Sequence, residues 1–207
     1  MQLYYDDDCN TIEVGIDEAG RGCLSGRVYV GAVILPRDIP DEKYKQIKDS
    51  KKLSKKKRKE LRKYIEEIAL SYNVSYAEPS EIDNKNILKA TLDTMHKAVE
   101  GIKITPHLIL VDGNSWNMYI NPQGDVIPHQ LITGGDNKYY SIAAASILAK
   151  VYHDEYVEEL CKNNPEYLKY DWLNNMCYGT KKHIDAIHKY GITDLHRKTF
   201  GICKQFC

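Results

Sequence analysis

The chain has 207 residues, 29 basic and 29 acidic side chains, 43% hydrophobic residues and a formal net charge of zero. This length and balance suit one domain and exclude disordered and fibrous classes, and bulk charge selects no acidic or basic partner. No apolar run nears the ~20 residues needed to cross a bilayer, so no membrane association is expected, and Asp6, Asp7 and Asp8 argue against a secretory signal at that point.

Taken in order, Ile12 to Asp17 reads as a strand and Arg27 to Leu35 as a second. A loop holding Gly20, Gly22 and Gly26 joins them. Ser54 opens a helix whose apolar stripe is Leu61, Tyr64, Ile65 and Ile68. Leu70 to Tyr76 reads as a strand and Asn86 to Val99 as a helix. Leu108 to Val111 is a short buried strand ended by the turn Asp112-Gly113-Asn114, and Val126 to Thr133 is another strand. Lys138 to Leu160 is the longest helix, and the small residues of IAAASILAK let it lie close to a sheet. Thr180 caps a helix that runs to Tyr190 and stops at Gly191. Early strands and late helices with some alternation predict an α/β domain with a mixed sheet and helices packed on it.

Six cysteines, at 9, 23, 161, 177, 203 and 207, form no C-x-x-C pair and no zinc half-sites. They read as reduced thiols of an intracellular protein.

Several constellations could carry chemistry. In Gly15-Ile16-Asp17-Glu18-Ala19-Gly20-Arg21-Gly22 two acids end a strand, and neighbouring strand residues point to opposite faces. Asp17 and Glu18 can share an ion only if the strand ends or bulges there, which the following glycines permit. An ordinary hairpin turn is the alternative. Asp112 lies at the C-terminal end of a buried strand, where α/β sheets place their sites, or is simply an Asp-Gly turn. Asp136, in Gly134-Gly135-Asp136-Asn137, either caps the long helix or faces an ion, and Asp154 competes for that role. Lys43 to Lys63 holds twelve lysines and arginines against Asp49 and Glu60 only. Such a cluster attracts phosphate backbones, or forms a solvated helix face, or serves as a nuclear signal. Near the C-terminus, Tyr178-Gly179-Thr180-Lys181-Lys182-His183 and Leu195-His196-Arg197-Lys198-Thr199-Phe200 mix aromatic and cationic groups of the kind that stack on sugars and hold phosphates.

Together, GIDEAGRG, DSKKLS, VDG, GGD followed by IAAASILAKV, YGTKKH and LHRKTF resemble, in order and approximate spacing, the ribonuclease HII (type 2 ribonuclease H) family, from about Ile12 to Phe200. The resemblance implies a ribonuclease H-like fold, a central mixed sheet flanked by helices, in one domain over residues 1–207 whose part from about 165 to 207 is helical and binds substrate. It implies that Asp17, Glu18, Asp112 and Asp136 are catalytic and hold two Mg²⁺ or Mn²⁺ ions. Two ions about 4 Å apart would activate water and stabilise the leaving oxygen of an anionic phosphodiester. It places substrate binding on Gly20, Arg21, Gly22 and Tyr178, with Lys51, Lys52 and the helix after Ser54 on flanking phosphates. The implied activity is cleavage of the RNA strand of RNA/DNA hybrids, and of single ribonucleotides embedded in duplex DNA, giving 3′-hydroxyl and 5′-phosphate ends. Three positions depart from the family pattern: Cys177 for its usual Gly, Arg27 for Pro and His153 for Arg. No sliding-clamp motif follows LHRKTF, so that partner is not expected, and a cytoplasmic monomer is.

Overall fold

The computed structural model describes residues 1–39 and 41–207. Its centre is a five-stranded sheet in the order β3-β2-β1-β4-β7, built from β1 (Glu13–Ala19), β2 (Val28–Ile34), β3 (Ser71–Ala77), β4 (Leu108–Asp112) and β7 (His129–Ile132). β1 pairs antiparallel with β2 and β2 with β3, whereas β4 runs parallel to both β1 and β7, so the sheet is mixed as expected. β5 (Tyr119–Ile120) and β6 (Val126–Ile127) form a separate ribbon.

Alternation along the strands decides what lies on each face. Val14 and Ile16 of β1, with Val30, Ala32 and Ile34 of β2, pack under Leu92, Met95 and Val99 of α3 (Ile87–Glu100). On the opposite face Val33 packs with Leu61 and Ile65 of α1 (Lys55–Ile68) and Ala144, Ile147 and Leu148 of α4 (Tyr140–Asn163). Burial of these branched side chains, roughly 1.5–3 kcal/mol each, drives assembly of the three layers.

The helix starts follow local chemistry. Ser54 accepts from Lys57 N at 3.2 Å, Asn86 from Lys89 N at 3.0 Å and Thr180 from His183 N at 3.4 Å. Gly191 ends α6 (Lys181–Tyr190) with φ at +77°, as its position predicts. From Pro165 to Phe206 the chain makes short helical turns, α5 (Trp172–Asn175) and α6 around buried Tyr170, Trp172 and Ile187. All six cysteines are free thiols.

Three expectations need correction, and one helix is added. β1 does not break at Asp17; it keeps register with β2 through Glu18↔Val30 and Ala19↔Tyr29. The stretch Val126 to Thr133 is two strands on different sheets, divided by Pro128, which has no N–H to give a ladder. Asp136 does not cap the long helix: it sits in a 3₁₀ turn, Gly135–Asn137, and α4 starts at Tyr140. A short helix, α2 (Pro79–Lys85), escaped notice because it is brief and polar; Glu78 and Glu81 box its start, with Glu78 N donating to Glu81 Oε2 at 2.9 Å.

Candidate active site

The C-terminal ends of β1 and β4 bring the acids together. The parallel register Ile16↔Val111 sets Asp17 beside Asp112 one step on. Asp112 Oδ1 accepts from Gly135 N at 2.7 Å, which fastens the Gly134-Gly135-Asp136 turn to the end of β4. Asp136 thereby comes to lie near Asp112 and Asp49. Because β1 stays regular, Asp17 faces α4 and the Ser146 hydroxyl, while Glu18 turns towards Arg21, whose Nη1 is 3.2 Å away. Both acids still border one cavity, since it opens off the strand's end.

Electrostatics records the crowding. Burial, then the charges of Glu18 and Asp112, hold the Asp17 carboxyl well above the usual carboxylate range. Burial also raises Glu18, against the pull of Arg21. Burial, then Asp49 and Asp112, raise Asp136. These acids repel one another in the bare protein.

The cavity holds about 410 Å³ and is lined by Asp17, Glu18, Gly20, Arg21, Gly22, Lys51 and Tyr178, seven of the ten residues the sequence singled out. Asp112 borders an adjoining cleft of about 140 Å³ with Glu18 and Arg21. Asp136 and Lys52 line neither; the Lys52 ammonium is bonded to the Asn137 side chain, next to Asp136. Gly20 is required where it stands: its φ is +89°, and a Cβ there would lie 2.7 Å from the His153 ring. Tyr178 is 38% exposed at the cavity wall. Its carbonyl accepts from His183 Nδ1 at 3.0 Å, and His183 Nε2 in turn accepts from Trp172 Nε1 at 3.0 Å.

Two parts of the basic run separate here. Lys51 reaches the cavity. Four cations of the helix after Ser54 are instead paired with α4: Lys55 and Lys59 with Glu158, Arg58 with Asp154 and Arg62 with Glu155. Those four are structural ion pairs rather than open phosphate contacts.

Sequence reasoning passed over Ser50, Ser146 and Lys150, which also line the cavity. A signal was present for two of them: Ser146, Lys150 and Asp154 fall at i, i+4, i+8 of α4, a polar stripe facing one way.

Among the described residues no three His, Cys, Asp or Glu side chains close on one point as a ready-made metal cage. A hard ion of the Mg²⁺ type needs none, because it keeps several waters and takes only one or two carboxylates plus substrate oxygens. All-carboxylate donors that raise each other by repulsion fit such a cation and not a soft one.

Among solved structures, the ribonuclease H2 of Pyrococcus horikoshii OT3 is similar with a TM-score of 0.76 and 24% identity, covering 94% of this chain and 96% of that one. Bst-RNase HIII, solved in complex with Mn²⁺, is similar with a TM-score of 0.68 and 20% identity, covering 94% of this chain and 68% of that one. The fold is therefore ribonuclease H-like. The family model for ribonuclease HII matches residues 14–203. The ribonuclease HII of Parabacteroides distasonis is 51% identical over 191 residues, 92% of this chain and 90% of that protein. The chain belongs to the ribonuclease HII family, and is a ribonuclease H hydrolase acting on the RNA strand of RNA/DNA hybrids.

Proposed function

We propose that this protein is a divalent-metal-dependent endoribonuclease that cuts both long RNA/DNA hybrids and single ribonucleotides embedded in duplex DNA, using two Mg²⁺ or Mn²⁺ ions and leaving 3′-hydroxyl and 5′-phosphate ends. One observation carries the reading: a buried, mutually repelling set of carboxylates opens onto a cavity whose other walls are a glycine loop, Lys51 and a tyrosine.

Asp17, Glu18, Asp112 and Asp136 would hold the ions. Bound there, the ions supply activated water at neutral pH and neutralise charge on the leaving oxygen. Asp17 and Asp112, fixed at adjacent strand ends, set where the scissile phosphate rests. The 2′-hydroxyl separates RNA from DNA. Gly20, Arg21 and Gly22 meet it with main-chain groups; at Gly20 and Gly22 no side chain intervenes. Tyr178 lies against the next sugar and senses the RNA–DNA junction, while Lys51 and Lys52 hold flanking phosphates. The protein acts as a monomer, and its six free thiols support a reducing, cytoplasmic compartment. Among the described residues no helix is long and apolar enough to cross a membrane.

The test is cleavage of a labelled duplex carrying one ribonucleotide, with Mg²⁺, Mn²⁺ or EDTA and the product ends mapped. Cleavage at the ribonucleotide with 3′-hydroxyl and 5′-phosphate ends, present with metal and absent with EDTA, is the expected result. Asp112→Asn should abolish turnover and leave hybrid binding within about threefold, because the phosphate contacts remain. Turnover in EDTA, or equal cutting of an all-DNA duplex, would overturn the proposal.

A further inference from the structure

Arg197 carries a guanidinium that is wholly buried, at 0% exposure, and no carboxylate lies within ion-pair distance of it among the described residues. It lies over the Phe200 ring, 5.1 Å from its centroid, and all its side-chain hydrogen bonds go to one loop. Nη2 donates to Gly20 O at 2.8 Å, Nη1 to Arg21 O at 2.8 Å and Nε to Gly26 O at 3.0 Å. Its own N–H donates to Leu24 O at 2.8 Å. The planar fork of arginine suits such a grip, and a lysine would satisfy fewer of these carbonyls with less directional control. The next two residues are fastened independently: Asp83 accepts from Lys198 N at 2.8 Å and from Thr199 N at 2.9 Å. The guanidinium is thus mounted on a fixed segment and grips the loop from behind.

A trans peptide sets the carbonyl of one residue and the N–H of the next on opposite sides of the chain, and this chain has only trans peptides among its described residues. With the Gly20 and Arg21 carbonyls turned to Arg197, the N–H groups of Arg21 and Gly22 must turn away from it. Gly20, Arg21 and Gly22 line the cavity and Arg197 does not. Neither amide has a hydrogen-bond partner among the described residues. We propose that Arg197 is a positioning residue that, from outside the cavity, aims the Arg21 and Gly22 amides at the ribose of the bound strand. The inference rests on the cavity being the substrate cleft.

Two readouts test it on the full chain: steady-state cleavage of an RNA/DNA hybrid, and the ¹H–¹⁵N resonances of the Arg21 and Gly22 amides in the free protein. Arg197→Lys should lower kcat about tenfold to a hundredfold with KM within about threefold, as misaimed transition-state donors do, and should shift both amide resonances. Ile187→Val, in the same C-terminal cluster, is the control for destabilisation; it should lower Tm while leaving kcat and both amides unmoved. Should Arg197→Lys fail to fold, Asp83→Ala, which keeps the guanidinium but frees the Lys198 and Thr199 amides that mount it, should lower kcat and shift the Arg21 and Gly22 amides in the same way; unmoved amides and kcat within about twofold of wild type would overturn the proposal. Unmoved amides in Arg197→Lys, kcat within about twofold of wild type, or the same pattern from Ile187→Val would overturn the proposal. A wild-type protein inert on hybrids would overturn the function reading alone, because the amide measurement still judges the grip.

Discussion

Gly31→Ala tests how the fold sets the active site. α4 lies against β1 and β2 more closely than any side chain allows: a Cβ built on Gly31 would stand 2.4 Å from the Ala145 carbonyl oxygen, and one on Gly15 would stand 2.3 Å from the Ser141 carbonyl carbon. Ordinary contact begins near 3.4 Å, so the backbone of a buried helix must move about 1 Å. Overpacking of this kind costs about 1–3 kcal/mol, which for a chain of this size lowers Tm by about 3–10 °C. The residue after Ala145 is Ser146, whose hydroxyl faces Asp17 and donates to Ser50 Oγ at 2.9 Å; one turn on is Lys150 in the cavity wall. A displacement near 1 Å at reacting groups costs up to about a hundredfold in rate. Gly31→Ala should therefore lose both several degrees of Tm and at least about tenfold in kcat, read by thermal melts and by hydrolysis of a labelled hybrid. A variant that melts within about 1 °C of wild type and cleaves within twofold would show that α4 is not held by this approach.

Two further predictions concern charge. Asp17 is raised by burial and by Glu18 and Asp112. A folded pKa above the unfolded one means that the metal-free native state loses stability as pH climbs from the ordinary carboxylate range, near 4, through the folded value. In EDTA, Asp17→Asn should thus raise Tm by roughly a few degrees at pH 8, with the gain shrinking towards pH 4 and no cleavage at any pH; a lower Tm than wild type at pH 8, in pH-resolved melts, would contradict the repulsion. Lys51 has no acidic partner among the described residues, whereas Arg62 is held by Glu66 at 2.7 Å and Glu155 at 2.6 Å. Hybrid-binding titrations across roughly 50–200 mM salt should show Lys51→Gln flattening the log–log slope by about 1 and Arg62→Gln leaving it unchanged; equal slopes would take Lys51 off the phosphates.

What the sequence disclosed was mostly local. Ser54, Thr180 and Gly191 were legible because a cap is settled by a few neighbouring backbone groups. Motif order singles out the acids at 17, 18, 112 and 136, but no spacing rule brings Asp17 beside Asp112; that takes a parallel pairing across 95 residues of chain. β1 was read two residues short because its last pairs are donated by β2, a tertiary contact that outweighs the glycines ahead. The basic run looked like one phosphate-binding surface because charge counted along the chain does not see Asp154, Glu155 and Glu158, about a hundred residues on, which neutralise one face of it. Arg197 was grouped with phosphate-holding cations for the same reason: it is buried, and its partners lie more than 170 residues away and are carbonyls, which every sequence has.

Asp154 shows why one helix serves both fold and site. The first half of α4, rich in alanine and serine, gives up side-chain volume to approach the sheet. The second half carries polar groups, and Asp154 binds two of them, Lys150 Nζ at 2.7 Å and His153 Nδ1 at 3.2 Å on Oδ1, together with Arg58 Nη2 of α1 at 3.4 Å on Oδ2. Burial pushes its carboxyl up, but His153 and Lys150 outweigh burial and leave it below the usual range. Arg58 also donates to Ser50 O at 3.1 Å and Leu53 O at 2.7 Å, which steadies the turn bearing Lys51. His153, where the family pattern has arginine, reaches the other way, with Nε2 3.6 Å from Cys23 Sγ and its ring beneath Gly20. Both oxygens of Asp154 are therefore committed to holding the lysine turn, the cavity lysine and the glycine loop in one frame. Asp154 is thus held as a structural anion, whereas Asp17 and Asp136, raised by burial and then by neighbouring acids, carry charge that a proton or a cation would relieve.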